Sequence, residues 1–143
     1  MAEDASGQEG PTIPRTAPLY FSRTYDETLG LLHEARSCIM RHGDGPALSI
    51  RARLTFSKET MRLTTRLTSV MAWLLAQRAV HEGEIERKRA GDEHALTARE
   101  LCLEDGDAED KALLPADLQI LLDRSHSLYA RVARLDDQVR ASA

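Results

Sequence analysis

Aromatic residues make up only 4% of the chain, and tryptophan occurs once. Any hydrophobic core must therefore be aliphatic. Cysteine is almost as scarce. Cys38 and Cys102 lie far apart, in no spacing that suits a metal site, and read as reduced thiols of an intracellular protein. No apolar run approaches the ~18 residues that span a bilayer, so no membrane association is expected. The N-terminus is acidic and polar, the reverse of a signal peptide. Phosphate-binding glycine loops, dinucleotide fingerprints and nucleophile elbows do not occur. His81-Glu82-Gly83-Glu84 has the start of a zinc-binding helix but lacks the second histidine at the required spacing. The expectation is a cytoplasmic binding protein with no catalytic residues, cofactor or metal.

What is present is helix-forming. Ala, Leu, Arg and Glu dominate, and 143 residues suit one domain. Residues 1–18 are rich in Gly, Pro, Ser and acids and predict a disordered tail, leaving 19–143 as the folded domain. Thr24-Tyr25-Asp26-Glu27 has capping-box spacing and predicts the first helix, with Tyr25, Leu29, Leu32, Ala35 and Ile39 on its apolar stripe. Gly43 to Gly45 would stop it. From Pro46 no helix breaker follows until Gly83, so the central helix is expected to reach about Lys88, roughly 60 Å. Residues 89–113 include Glu104, Asp105, Asp107, Glu109 and Asp110 and read as a mobile acidic loop, with a short helical turn expected over Thr97 to Leu103. A last helix opens at Pro115, with Leu118, Leu121, Leu122, Ser125, Leu128, Tyr129, Val132, Leu135 and Val139 on one stripe. The fold class is all-α: an elongated antiparallel three-helix bundle with a long central helix.

A helical wheel separates two halves of that central helix. Phe56, Leu63, Leu67, Val70, Met71, Leu74 and Leu75 fill a broad apolar arc, with Ile50, Leu54 and Met61 at its edge. The opposite arc carries Arg51, Lys58, Arg62 and Arg66 and reads as solvent-facing. Beyond Ser69 the helix is apolar all round. Trp73, Ala76 and Val80 then need cover that two neighbouring helices cannot provide. Either the loop folds over them or a second subunit does, and tryptophan is enriched at interface centres. Arg78 interrupts the apolar arc. It either snorkels to a carboxylate at the bundle end or binds a partner. The candidate protein-interaction residues are therefore Arg62, Arg66, Trp73, Arg78 and Val80, with a homodimer through the second half of the helix. A helical DNA-binding regulator is the alternative. It is opposed by the net charge of −4 and by the acidic loop, so no nucleic acid is expected.

Three segments are similar to the RcdA family of bacterial regulators of CtrA degradation, also known as a domain of unknown function. They are Leu19 to Glu27, Glu59 to Leu67 (ETMRLTTRL) and Trp73 to Glu84 (WLLAQRAVHEGE). The resemblance runs from about Leu19 to Val139. It implies a dimeric three-helix bundle that acts as an adaptor for the ClpXP protease. The implied partners are a protease primed by a response regulator, substrate proteins and a further cyclic-di-GMP-binding adaptor. The implied setting is the bacterial cell cycle, with recruitment to the cell pole.

Overall fold

The computed structural model describes residues 17–43 and 49–142. The expected disordered tail lies outside them, apart from its last two residues, and so does the expected helix start at Gly45-Pro46. Among the described residues every regular element is a helix: α1 (Ala17–His42), α2 (Ile50–His81), α3 (Arg87–Glu93), α4 (Arg99–Leu103), α5 (Ala108–Lys111) and α6 (Ala116–Ala141). The all-α bundle with a long central helix is what forms, and no helix is long and apolar enough to cross a membrane.

Local chemistry explains the boundaries. α1 begins before the expected cap at Thr24. That residue is buried inside the helix, where its carbonyl accepts the Thr28 hydroxyl at 2.7 Å. The extra first turns carry Phe21, which meets the Trp73 ring edge-to-face at 5.9 Å. Burial of that aromatic contact outweighs the local capping preference. Gly43 closes α1 as expected, its amide donating to Ile39 O. Ser49 caps α2, its hydroxyl accepting from the Ala52 amide at 3.1 Å. α2 spans 32 residues, about 48 Å, rather than reaching Lys88. It stops at Gly83, where φ is +77° and the amides of Gly83 and Glu84 turn back to Val80 O and Ala79 O.

Ion pairs and hydrogen bonds fix the directions of the long helices. Along α1 and α6, Glu27 meets Arg131, Glu34 meets Arg124 and Arg41 meets Asp117, so these two helices are antiparallel. Between α2 and α6, Arg66 meets Ser125 and Trp73 meets Asp136, so these two run in the same direction. A parallel pair requires the chain to travel back the full length of the bundle between them. The segment α3–α4–α5 makes that return. It lies against both helices, with Thr97 at Ser69 and Tyr129, Cys102 at Arg66, and Asp110 at Arg51. Ala90, Leu96, Cys102 and Leu114 anchor it in the core. The region read as a mobile acidic loop is thus three short helices, one capped by Asp107 accepting from the amides of Glu109 and Asp110.

The main core lies where α1, α2 and α6 meet. Leu63, Leu67, Val70, Leu118, Leu122, Leu128 and Val132 are fully buried there, on the stripes read from the sequence; on α1 Leu31 is fully buried instead, and Leu29, read on the stripe, is exposed. Leu67→Ala should cost ~2–5 kcal/mol in denaturant unfolding. Met40→Ala, exposed on α1, should stay within ~0.5 kcal/mol. Equal losses would contradict this packing.

Candidate interaction surface

Arg62 and Arg66 are not on a solvent-facing arc. Each is 1% exposed. The return segment lies over the face that they occupy, a third neighbour which the wheel did not provide for. Arg62 Nη1 donates to both carboxylate oxygens of buried Glu59 at 2.9 Å, and Glu104 lies 3.8 Å from Nη2. Arg62 Nε finds no hydrogen-bond partner among the described residues. Arg66 spreads its guanidinium over two elements. Nε donates to Cys102 O at 2.9 Å and Nη2 to Glu104 O at 2.8 Å, while Nη1 donates to Leu122 O and the Ser125 hydroxyl, both at 3.1 Å. These arginines hold the return segment to the bundle.

Trp73 is likewise 1% exposed. Its indole Nε1 donates to Asp136 Oδ1 at 2.9 Å, and Asp136 also accepts from Arg99 at 2.6 Å and Arg140 at 3.1 Å. The chain covers its own tryptophan, so the expectation that Trp73 centres an uncovered face is corrected. Val80 is half-buried near the end of α2. Arg78 is exposed and pairs with Glu82 at 3.1 Å, as a snorkelling residue would. It also lines a groove of about 290 Å³ with Phe21, Tyr25, Leu74, Leu75 and His81. Of the five candidate residues, the structure brings Arg62 and Arg66 together inside the protein and leaves Arg78 open.

The open surface of the central helix is the face that the wheel placed at the edge of the core. At ~100° per residue, Ile50, Leu54, Met61, Thr68, Ala72 and Leu75 fall within about 80° of one another. All are exposed, Ile50, Leu54 and Met61 by 74%, 66% and 68%. No charged residue falls in that arc. The threonines beside it are satisfied internally: Thr64 donates to Thr60 O at 2.8 Å, Thr65 to Met61 O at 2.8 Å and Thr68 to Thr64 O at 2.9 Å. With their hydroxyls engaged by the helix backbone, these side chains add methyl rather than polar surface. The result is a long uncharged strip along the open face of α2.

The basic stripe has largely disappeared as a surface. Arg62 and Arg66 are buried, and Arg51 is paired with Asp110 at 2.6 Å. Arg62→Ala would leave Glu59 buried and unpaired, so a loss of roughly 3–5 kcal/mol is expected. Arg51→Ala, breaking an exposed pair, should cost less than ~1 kcal/mol. Gly106 supplies an independent check. Its φ is +78°, and a Cβ there would sit 2.9 Å from Arg62 Nη1 and 3.0 Å from Glu59 Oε2. Gly106→Ala should therefore destabilise, and Gly106→Ala with Arg62→Ala should cost less than the sum of the two alone. Strict additivity would contradict the contact.

Comparison with known proteins agrees with this architecture. No curated protein matches the chain. The model of a family described as a protein of unknown function, DUF1465, matches residues 14–143. Among solved structures, the crystal structure of RcdA from Caulobacter crescentus CB15 superposes with a TM-score of 0.66 at 37% identity, covering 86% of this chain and 92% of that one. The long helices, the return segment and the extent of these matches together place the chain in the DUF1465 family, with RcdA as a relative of known structure.

Proposed function

We propose that this protein is a non-enzymatic adaptor for regulated proteolysis, tethering substrates or further adaptors to the ClpXP protease in the cytoplasm. The observation that carries the reading is the likeness to RcdA over most of both chains, at an identity that extends beyond fold. The surface supports it. A bundle whose charged residues are largely paired within the chain presents one long uncharged strip on α2 and, beside it, an apolar groove with Arg78 and Glu82 at hand.

These two features suit two kinds of contact. The α2 strip is uncharged along about 38 Å from Ile50 to Leu75, so a second copy related by a two-fold axis would meet it without like-charge repulsion. The dimer is thus proposed through the Leu54–Met61–Leu75 face, a sector removed from Trp73. The groove between α1 and α2 would accept an apolar side chain of a tethered protein, with Arg78 available to an acidic group next to it. Recruitment to the cell pole would follow from partners rather than from a membrane anchor. The DNA-binding alternative loses its principal support with the burial of Arg62 and Arg66.

Degradation reconstituted from purified components tests the reading: ClpXP, its priming response regulator, a cell-cycle substrate and this protein. Substrate loss should accelerate when the protein is added, and Arg78→Glu should weaken the effect several-fold without lowering the melting temperature. Unchanged substrate loss would overturn the adaptor role. Separately, Leu54→Glu combined with Met61→Glu should shift the molecular mass measured by light scattering from dimer to monomer. A wild type that is monomeric at tens of micromolar would remove the dimer from the account.

A further inference from the structure

One cluster of ligating side chains plays no part in that reading. Cys38 and His42 stand one turn apart on α1, four residues apart and therefore on one face. Asp117, in the first turn of α6, meets them from the other side. The Cys38 Sγ, one His42 ring nitrogen and one Asp117 carboxylate oxygen all lie within 4.8 Å of one another. Tetrahedral bonds of about 2.0–2.3 Å would set such atoms roughly 3.3–3.8 Å apart, so only small adjustments separate this arrangement from a coordination shell.

We propose that Cys38, His42 and Asp117 form a binding site for a thiophilic divalent cation of the zinc type, with a water or external ligand in the fourth position. The donor set suits that class: thiolate and imidazole favour zinc over magnesium or calcium, and the thiolate and carboxylate together neutralise a dication. Neighbouring groups orient the ligands. The His42 ring packs edge-on against Phe56 at 6.4 Å. His42 Nε2 lies 3.0 Å from Asp117 Oδ1, and Arg41 donates to Asp117 Oδ2 at 2.7 Å. His42 Nε2 is also 3.1 Å from Oδ2, and Oδ1 accepts from the Leu118 amide at 2.9 Å, so the carboxylate is fixed in place at the histidine by contacts to both oxygens. Of the three ligands only Asp117 lines the neighbouring cavity of about 470 Å³, with Arg41, His33, Glu34 and Ser37, while Cys38 is fully buried, so a metal would enter from the Asp117 side.

Binding has a definite proton balance. Burial and the neighbouring Asp117 carboxylate push the Cys38 thiol up to about 11, so it is protonated at neutral pH. Coordination breaks the S–H bond, forms a sulfur–metal bond and releases one proton to solvent. His42 Nε2, which faces the Asp117 carboxylate as an N–H donor, must pass its proton to Nδ1 before its lone pair can bind the metal. The metal would clasp the C-terminal end of α1 to the N-terminal end of α6.

The test is a cobalt(II) titration of the full-length, chelator-treated protein, followed by zinc competition. Expected are a sulfur-to-cobalt charge-transfer band, saturation at one metal per chain, one proton released in weakly buffered solution, and loss of the band on adding zinc. Cys38→Ser should abolish the band. Asp117→Asn should weaken binding ~10-fold or more, and Cys102→Ser should leave it unchanged. Helical circular dichroism checks that each variant folds; if Cys38→Ser does not, Asp117→Asn and the Cys102→Ser control decide. No thiolate band, or equal binding by the Asp117 variant and wild type, would overturn the site and leave a hydrogen-bonded clasp between two helices.

Discussion

The Arg66 guanidinium is the contact on which the rest of the structure depends. It donates to two carbonyls of the return segment and, on α6, to one carbonyl and one hydroxyl. Four acceptors on two separate elements are engaged by one side chain. A buried cation is costly unless its donors are used, and here those bonds set the path of the chain. The return segment is anchored in the core by Ala90, Leu96, Cys102 and Leu114. It is also held by polar contacts, with Arg62–Glu59 backing Gly106 and Asp136 joining Trp73, Arg99 and Arg140. Because the segment returns along α2, α6 can run parallel to α2, and the second half of α2 is covered within one chain.

Much of this was legible in the sequence. The stripe from Leu118 to Val132 and the α2 residues Phe56, Leu63, Leu67, Val70 and Leu74 follow from spacing at 3.6 residues per turn and are buried as read, whereas Met71 is half-buried and Leu75, read on the same arc, is exposed. Cys38 and Cys102 are both fully buried. What spacing could not give was the third neighbour of α2. A wheel assigns Arg62 and Arg66 to solvent because arginine is polar, but it carries no information about carbonyls that come from 36 to 59 residues away. The signal that could have revealed the cover was in the acidic region: Ala90, Leu96, Cys102 and Leu114 recur through it, more apolar anchors than a mobile loop needs. The acids there also have partners, Asp110 with Arg51 and Asp105 with Lys111.

Burial of the arginines also changes which surface is left for partners. With the basic arc inside, α2 offers an uncharged strip and the α1–α2 groove, a surface suited to protein rather than to nucleic acid. The surplus apolar surface inferred from sequence is therefore present, but it sits about a third of a turn away from Trp73.

The central claim is that the chain covers Trp73 by itself, so that its burial does not depend on a second subunit. Trp73 is the only tryptophan, and its fluorescence therefore reports this directly. Emission and acrylamide quenching should be followed through a dilution series that extends below any dimer dissociation constant. The account predicts a blue-shifted, poorly quenched emission that stays constant as the measured mass falls to monomer. A red shift and rising quenching in step with dissociation would contradict it, and would return the tryptophan face to the subunit interface.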